Sequence, residues 1–107
     1  MNKVLIIDDE ERIRNLLSKI ISLEGFEVSQ AADAKSGMKK LEADNIDVVI
    51  CDVKLPDLGG VELSKIIKQK YPATEIILLT AYGNIPDSVK AIKNGAFDYI
   101  TKGDDNN

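Results

Sequence analysis

Five short apolar runs recur along the chain, and four of them are followed by a stretch whose apolar residues return at helical spacing. The runs are Val4 to Ile7, Phe26 to Ala31, Ile46 to Cys51, Ile76 to Thr80 and Phe97 to Thr101. Continuous apolar runs of this length suit strands buried on both faces. Between them, Ile13, Leu16, Leu17, Ile20 and Ile21 lie on one helical stripe, and Gly25 supplies its stop. Asp33 is placed to cap a second helix with Ala34, Met38 and Leu41 turned inward, although its interior Gly37 weakens it. Leu63, Ile66 and Ile67 mark a third helix over Val61 to Lys70, closed by Pro72. Ile85, Val89 and Ile92 mark a fourth, with Pro86 near its start and Gly95 at its end. Strand and helix in strict alternation predict an α/β domain with a parallel sheet.

A length of 107 residues fits one small domain. Residues 1–102 are read as that domain and residues 103–107 as a polar tail expected to be disordered. A domain of this size buries about two-thirds of its unfolded surface, so its stability is expected to be modest. The formal net charge is −4, and no cluster of Lys and Arg stands on one face, which argues against direct nucleic-acid binding. Lys65, Lys68 and Lys70 read as a solvated helix face. No apolar run approaches the roughly 20 residues of a membrane helix, and no secretory leader is visible. The single cysteine, Cys51, allows no internal disulfide and fits a cytoplasmic protein. With no histidine in the chain, histidine acid/base catalysis and histidine metal sites are excluded.

In open parallel sheets, ligands bind at the carboxyl ends of the strands. Here the first strand runs into Asp8 and Asp9, the third into Asp52, the fourth into Thr80 and the fifth into Thr101 and Lys102. An acid pair ahead of a helix is most often a surface cap. A third carboxylate beside it changes the reading, because close carboxylates repel unless a cation intervenes. Mg²⁺ fits such a set: it takes carboxylate oxygens, keeps waters and accepts a phosphate oxygen. Carboxylates also act as nucleophiles toward phosphoryl groups. Asp52 could then form an acyl phosphate while the metal and Lys102 neutralise the transferring charge. Thr80 could donate its hydroxyl to a phosphoryl oxygen. Tyr99 reads by itself as half-buried sheet packing, and Cys51 as core.

The stretches VLIIDDEERIR, DVVICDVKLPDLGGVEL, IILLTAYG and GAFDYITK, in this order and spacing, resemble the receiver domains of two-component response regulators. The resemblance covers nearly the whole chain. It implies a flavodoxin-like, doubly wound sheet of five parallel strands in the order 2-1-3-4-5. It also implies Asp52 as the phosphoacceptor, Asp9 as a direct Mg²⁺ ligand, Asp8 as a ligand through water and the Lys54 carbonyl as a further ligand. Thr80 and Tyr99 would be a coupled switch pair. The Ala81 amide would help Thr80 hold the phosphoryl group, and Lys102 would bind it too. A sensor histidine kinase would be the donor and an output domain the recipient of the signal. TAYGNIPDSVKAIKNGAFDYITK further resembles receivers of AAA+ enhancer-binding transcription activators, so the implied output is transcription. Lys54 and Tyr82, two residues beyond Asp52 and Thr80, are candidates for setting the lifetime of the phosphoryl group.

Two departures from the family pattern stand out. Gly103 follows Lys102 where the family has proline, so a trans bond and a looser loop are expected. The family's fifth helix would follow Asn107, and its absence is expected to expose apolar surface on the first and fifth strands and adjoining helices, or to favour a homodimer. A competing reading is a pseudo-receiver that binds partners without turning over phosphate. A haloacid-dehalogenase-like phosphatase would need Asp-x-Asp after the first strand, where Asp8 meets Asp9 directly. A dinucleotide enzyme would need a glycine-rich turn there, where Asp8-Asp9-Glu10-Glu11 stands.

Overall fold

Apolar residues on both faces of successive strands require helices on both sides, and the chain builds that arrangement. The computed structural model describes residues 2–80 and the strand at 98–101. The elements are β1 (Lys3–Ile7), α1 (Glu11–Leu23), β2 (Glu27–Ala31), α2 (Ala34–Ala43), β3 (Val48–Asp52), α3 (Gly60–Lys70), β4 (Glu75–Thr80) and β5 (Asp98–Thr101). The sheet has five strands in the order β2-β1-β3-β4-β5. All four pairings are parallel. The predicted fold and strand order are thus observed. The helix expected around Ile85 to Gly95, the Lys102–Gly103 bond and the tail all lie outside the described residues.

Side chains alternate between the two faces with the period of a strand. Leu5 and Ile7, Val49 and Cys51, and Ile76 and Leu78 join one buried cluster with Ala34 and Leu41 of α2 and Leu63 and Ile67 of α3. Val4 and Ile6, Ile50 and Leu79 point the other way, where Leu17 and Ile21 of α1 pack on them. Val4 and Ile6 of β1 are 4% and 0% exposed, so β1 does not carry the open apolar surface expected of it. Among the described residues such surface lies on α1, one of the adjoining helices where it was also expected. Leu16 is 54% and Ile20 51% exposed, because the helix turns only one edge of its apolar stripe toward the sheet. Ile66, which shares the helical spacing of Leu63 and Ile67, likewise falls on the outer side of α3.

Local chemistry explains the helix ends. Gly25 ends α1 with a φ of 97°, a left-handed conformation that glycine adopts without a Cβ clash. The Asp33 carboxylate accepts the Ser36 N–H at 2.8 Å, as its capping role requires. Gly37 is more than a weak point in α2: a Cβ there would stand 2.5 Å from Ile7 Cδ1. The missing side chain lets the helix lie against β1. At the end of α3, Lys68 Nζ donates to the carbonyls of Pro72 (3.0 Å) and Thr74 (3.1 Å), so this lysine fastens a turn and is not merely solvated.

Candidate functional site

The register of the sheet assembles the site. Ile7 pairs with Cys51, and the residue after each is an aspartate, so Asp8 and Asp52 emerge side by side. Asp52 in turn pairs with Leu79, one residue before Thr80. The N–H of Asp8 donates to the Ala31 carbonyl at 3.0 Å, and that of Val53 to the Leu79 carbonyl at 2.9 Å, so both strand ends stay in the sheet at the point where the acids project. Asp8 and Asp52 are buried, and Asp9 is exposed. One carboxylate oxygen from each of Asp8, Asp9 and Asp52 lies within 4.8 Å of the other two.

Two ionised carboxylates at that separation repel by about 3 kcal/mol at an effective dielectric of about 20. The donor set consists entirely of carboxylate oxygens, with no sulfur or imidazole, which suits a hard divalent cation. Its size and charge therefore fit Mg²⁺, with Asp8, Asp9 and Asp52 as the side chains to hold it. Hydrogen bonds from the loops fix the carboxylates in place. Asp8 Oδ1 accepts the Glu10 N–H at 2.8 Å, and Asp52 Oδ1 accepts the Lys54 N–H at 3.2 Å. Cys51 lies directly behind Asp52 in the core, and burial, together with the charges of Asp52 and Asp8, pushes its thiol pKa well up.

Thr80 ends β4 and pairs with Thr101, while Tyr99 pairs with Leu78. The backbone therefore brings Thr80 to the acid-bearing edge of the sheet and leaves Tyr99 farther back along β5. The side chains of Thr80 and Tyr99, together with Ala81, Tyr82 and Lys102, lie outside the described residues.

Three residues that the sequence reading passed over support the site. Arg14 reaches back from α1: its Nη1 donates to the Asp8 carbonyl at 2.7 Å and its Nε to Gln30 Oε1 at 2.9 Å. Its position one turn into a helix that follows two acids was the available signal. Gly60 begins α3 against the backbone of the third strand, where a Cβ would run into the Asp52 carbonyl and stand 2.8 Å from Val53 Cα. Asp57, which reads in sequence as a turn residue, places its carboxylate on the start of α2.

Comparison with known proteins agrees with this geometry. Residues 4–107 match the family model of the response regulator receiver domain. The regulatory protein AtoC of Escherichia coli K12 is 34% identical over 95% of this chain, which spans 22% of AtoC. The chain thus covers about a fifth of the length of such curated relatives. Among solved structures, the receiver domain of NtrX from Brucella abortus superposes with a TM-score of 0.90 at 35% identity, over 95% of this chain and 87% of that one. TrrA from Thermotoga maritima, crystallised in complex with Mg²⁺-BeF, superposes with a TM-score of 0.86 at 34% identity, over 96% of this chain and 88% of that one.

Proposed function

The chain belongs to the response regulator receiver domain family, and on that premise we propose that it takes a phosphoryl group onto Asp52 from a phosphohistidine of a partner histidine kinase. The observation that carries this reading is the convergence of the Asp8, Asp9 and Asp52 oxygens within 4.8 Å at one end of the sheet. The Mg²⁺-BeF complex of the similar TrrA supports a metal at such a site.

The Asp52 carboxylate is the nucleophile. One of its oxygens forms a bond to phosphorus as the bond from phosphorus to the imidazole nitrogen breaks, and the histidine leaves with the electron pair. The Lys54 N–H, donating to Asp52 Oδ1, limits rotation of the carboxylate. Asp9 would hold the metal directly and Asp8 through water, with the Lys54 carbonyl as a further ligand. Mg²⁺ held there would offset the negative charge of the carboxylates and of the phosphoryl oxygens. Lys102 and the Ala81 amide bind the phosphoryl oxygens. Thr80 moves to donate its hydroxyl to the new group, and Tyr99 turns inward in response. That movement is the signal passed to an output domain that controls transcription, a reading supported by the likeness to the DNA-binding transcriptional regulator NtrC of Proteus hauseri. Water later hydrolyses the acyl phosphate, with Lys54 and Tyr82 setting how fast.

The test is incubation with acetyl phosphate or phosphoramidate, with and without Mg²⁺, read by intact mass. The expected outcome is a gain of one phosphoryl group that requires Mg²⁺ and disappears in Asp52→Asn. An unchanged mass in the wild type would leave the receiver fold without phosphoryl transfer. A Mg²⁺-dependent gain that persists in Asp52→Asn would move the acceptor elsewhere.

A further inference from the structure

The loop from Asp52 to Gly60 has a second fastening, far from its base. At the base, the Gly60 N–H donates to the Val53 carbonyl at 2.7 Å and closes the loop into a ring. At the tip, Asp57 reaches the first turn of α2: Oδ1 accepts the Ala34 N–H at 2.9 Å and Oδ2 accepts the Lys35 N–H at 2.9 Å. The first N–H groups of a helix have no partner within it, and a carboxylate is favoured there by both hydrogen bonding and the helix dipole. Helix α2 already has a cap of its own in Asp33, which takes the Ser36 N–H. Asp57 therefore adds something a local cap cannot, a two-point bond between elements more than 20 residues apart in sequence. The Ala34 and Lys35 amides hold its carboxyl below the usual carboxylate range, as expected if the ionised form makes these bonds.

Helix α2 touches both arms of the site. Gly37 seats it on Ile7, the residue before Asp8, and its first turn holds the loop that contains Lys54. The loop needs such a hold, because Lys54, Pro56, Asp57 and Gly59 are all exposed; beyond Val53, which is buried at its base, Leu55 and Leu58 pack half-buried against the core.

We propose that Asp57 is a positioning residue for the cation site: by tying the tip of its loop to α2, it sets where the Lys54 backbone stands relative to Asp8, Asp9 and Asp52. This rests on the reading of the acid cluster as a Mg²⁺ site. Asp57 itself touches neither metal nor phosphoryl group.

The experiment is Mg²⁺ titration of the 107-residue chain by calorimetry, with the Lys54 amide followed by ¹⁵N NMR, in the wild type, Asp57→Ala, Asp57→Asn and Asp33→Ala. Loss of a residue that orients a metal site weakens affinity by about tenfold. Asp57→Ala is expected to lose affinity on that scale and to shift the Lys54 amide before any metal is added. Asp57→Asn, which keeps one acceptor oxygen, is expected to lose less. Asp33→Ala removes a cap from the same helix, so it is expected to lower the melting temperature and leave Mg²⁺ affinity unchanged. Wild-type affinity in Asp57→Ala would overturn the proposal, as would equal losses in Asp57→Ala and Asp33→Ala, which would trace the effect to helix stability. Equal losses in Asp57→Asn and Asp57→Ala would trace it to charge alone and overturn it as well. Absence of Mg²⁺ binding in the wild type would overturn the metal site and this proposal together, a result distinct from all of these.

Discussion

Among the described residues, the two faces of the sheet are closed to different degrees. Under α2 and α3, the strands meet Ala34, Leu41, Leu63 and Ile67, all buried. Under α1, they meet only partly buried partners, Leu17 and Ile21, and no residue of α1 is fully buried. The ends of the helices follow the same division. Helix α2 is held at its start by Asp33 and Asp57 and at its end by Asp44, whose Oδ1 lies 2.6 Å from Lys3 Nζ. Helix α1 starts at Glu10 without a side-chain cap. Yet α1 carries the fuller apolar stripe in sequence, Ile13, Leu16, Leu17, Ile20 and Ile21 against Ala34, Met38 and Leu41 of α2. A stripe therefore reports a capacity for burial, and the neighbouring elements decide how much of it is used.

The largest expected effect tests this contrast directly. Leu63 is 0% exposed, so Leu63→Ala should cost about 2–5 kcal/mol by urea denaturation. Leu16→Ala, on the open side of α1, should stay within about 0.5 kcal/mol. Similar losses at both positions would erase the difference between the faces.

Two glycines sharpen it on the closed face. At Gly60 the obstacle to a Cβ is the backbone at Asp52 and Val53, which has little room to move. Gly60→Ala should cost about 1–3 kcal/mol and slow phosphorylation of Asp52 by acetyl phosphate. At Gly37 the obstacle is the tip of the Ile7 side chain, which can rotate, and alanine gains about 1 kcal/mol of helix propensity. Gly37→Ala should therefore come out nearer neutral. If Gly37→Ala proved the costlier of the two, the close approach of α2 would be the tighter constraint.

The smallest expected effect is on pH. The Ala34 and Lys35 amides lower the Asp57 pKa, and a hydrogen bond from Lys3 lowers that of Asp44. A carboxyl depressed in the folded state adds stability above its unfolded pKa of about 4, and that stability is lost as pH falls through the folded value. Melting temperature should thus fall on acidification below about pH 4, and Asp57→Asn should flatten that limb of the curve. Lys3 shifts the other way, raised by its hydrogen bond to Asp44, so its contribution holds below the ordinary lysine pKa and is lost only in strong alkali. An acid limb unchanged in Asp57→Asn would mean that its carboxylate adds no stability to α2.

Much of this arrangement was legible in the sequence, because buried parallel strands and strand-end acids leave local signatures. The apolar runs located all five strands, and the acids after the first and third proved to be neighbours in space. What escaped was non-local. Nothing in Leu55-Pro56-Asp57-Leu58 says that its aspartate will cap a helix begun at Ala34. The partial burial of Leu17 and the exposure of Leu16 depend on how α1 is rotated over the sheet, which helical spacing cannot fix. Gly37 reads as a weakness until Ile7 is seen beneath it.

Cys51 has a practical consequence. It is the only thiol in the chain, it is fully enclosed, and its raised pKa leaves almost no thiolate in the folded protein. A thiol-specific reagent can reach it only when the core opens next to Asp52. Its labelling rate is therefore a built-in clock for transient opening of the central strand, read without adding any probe.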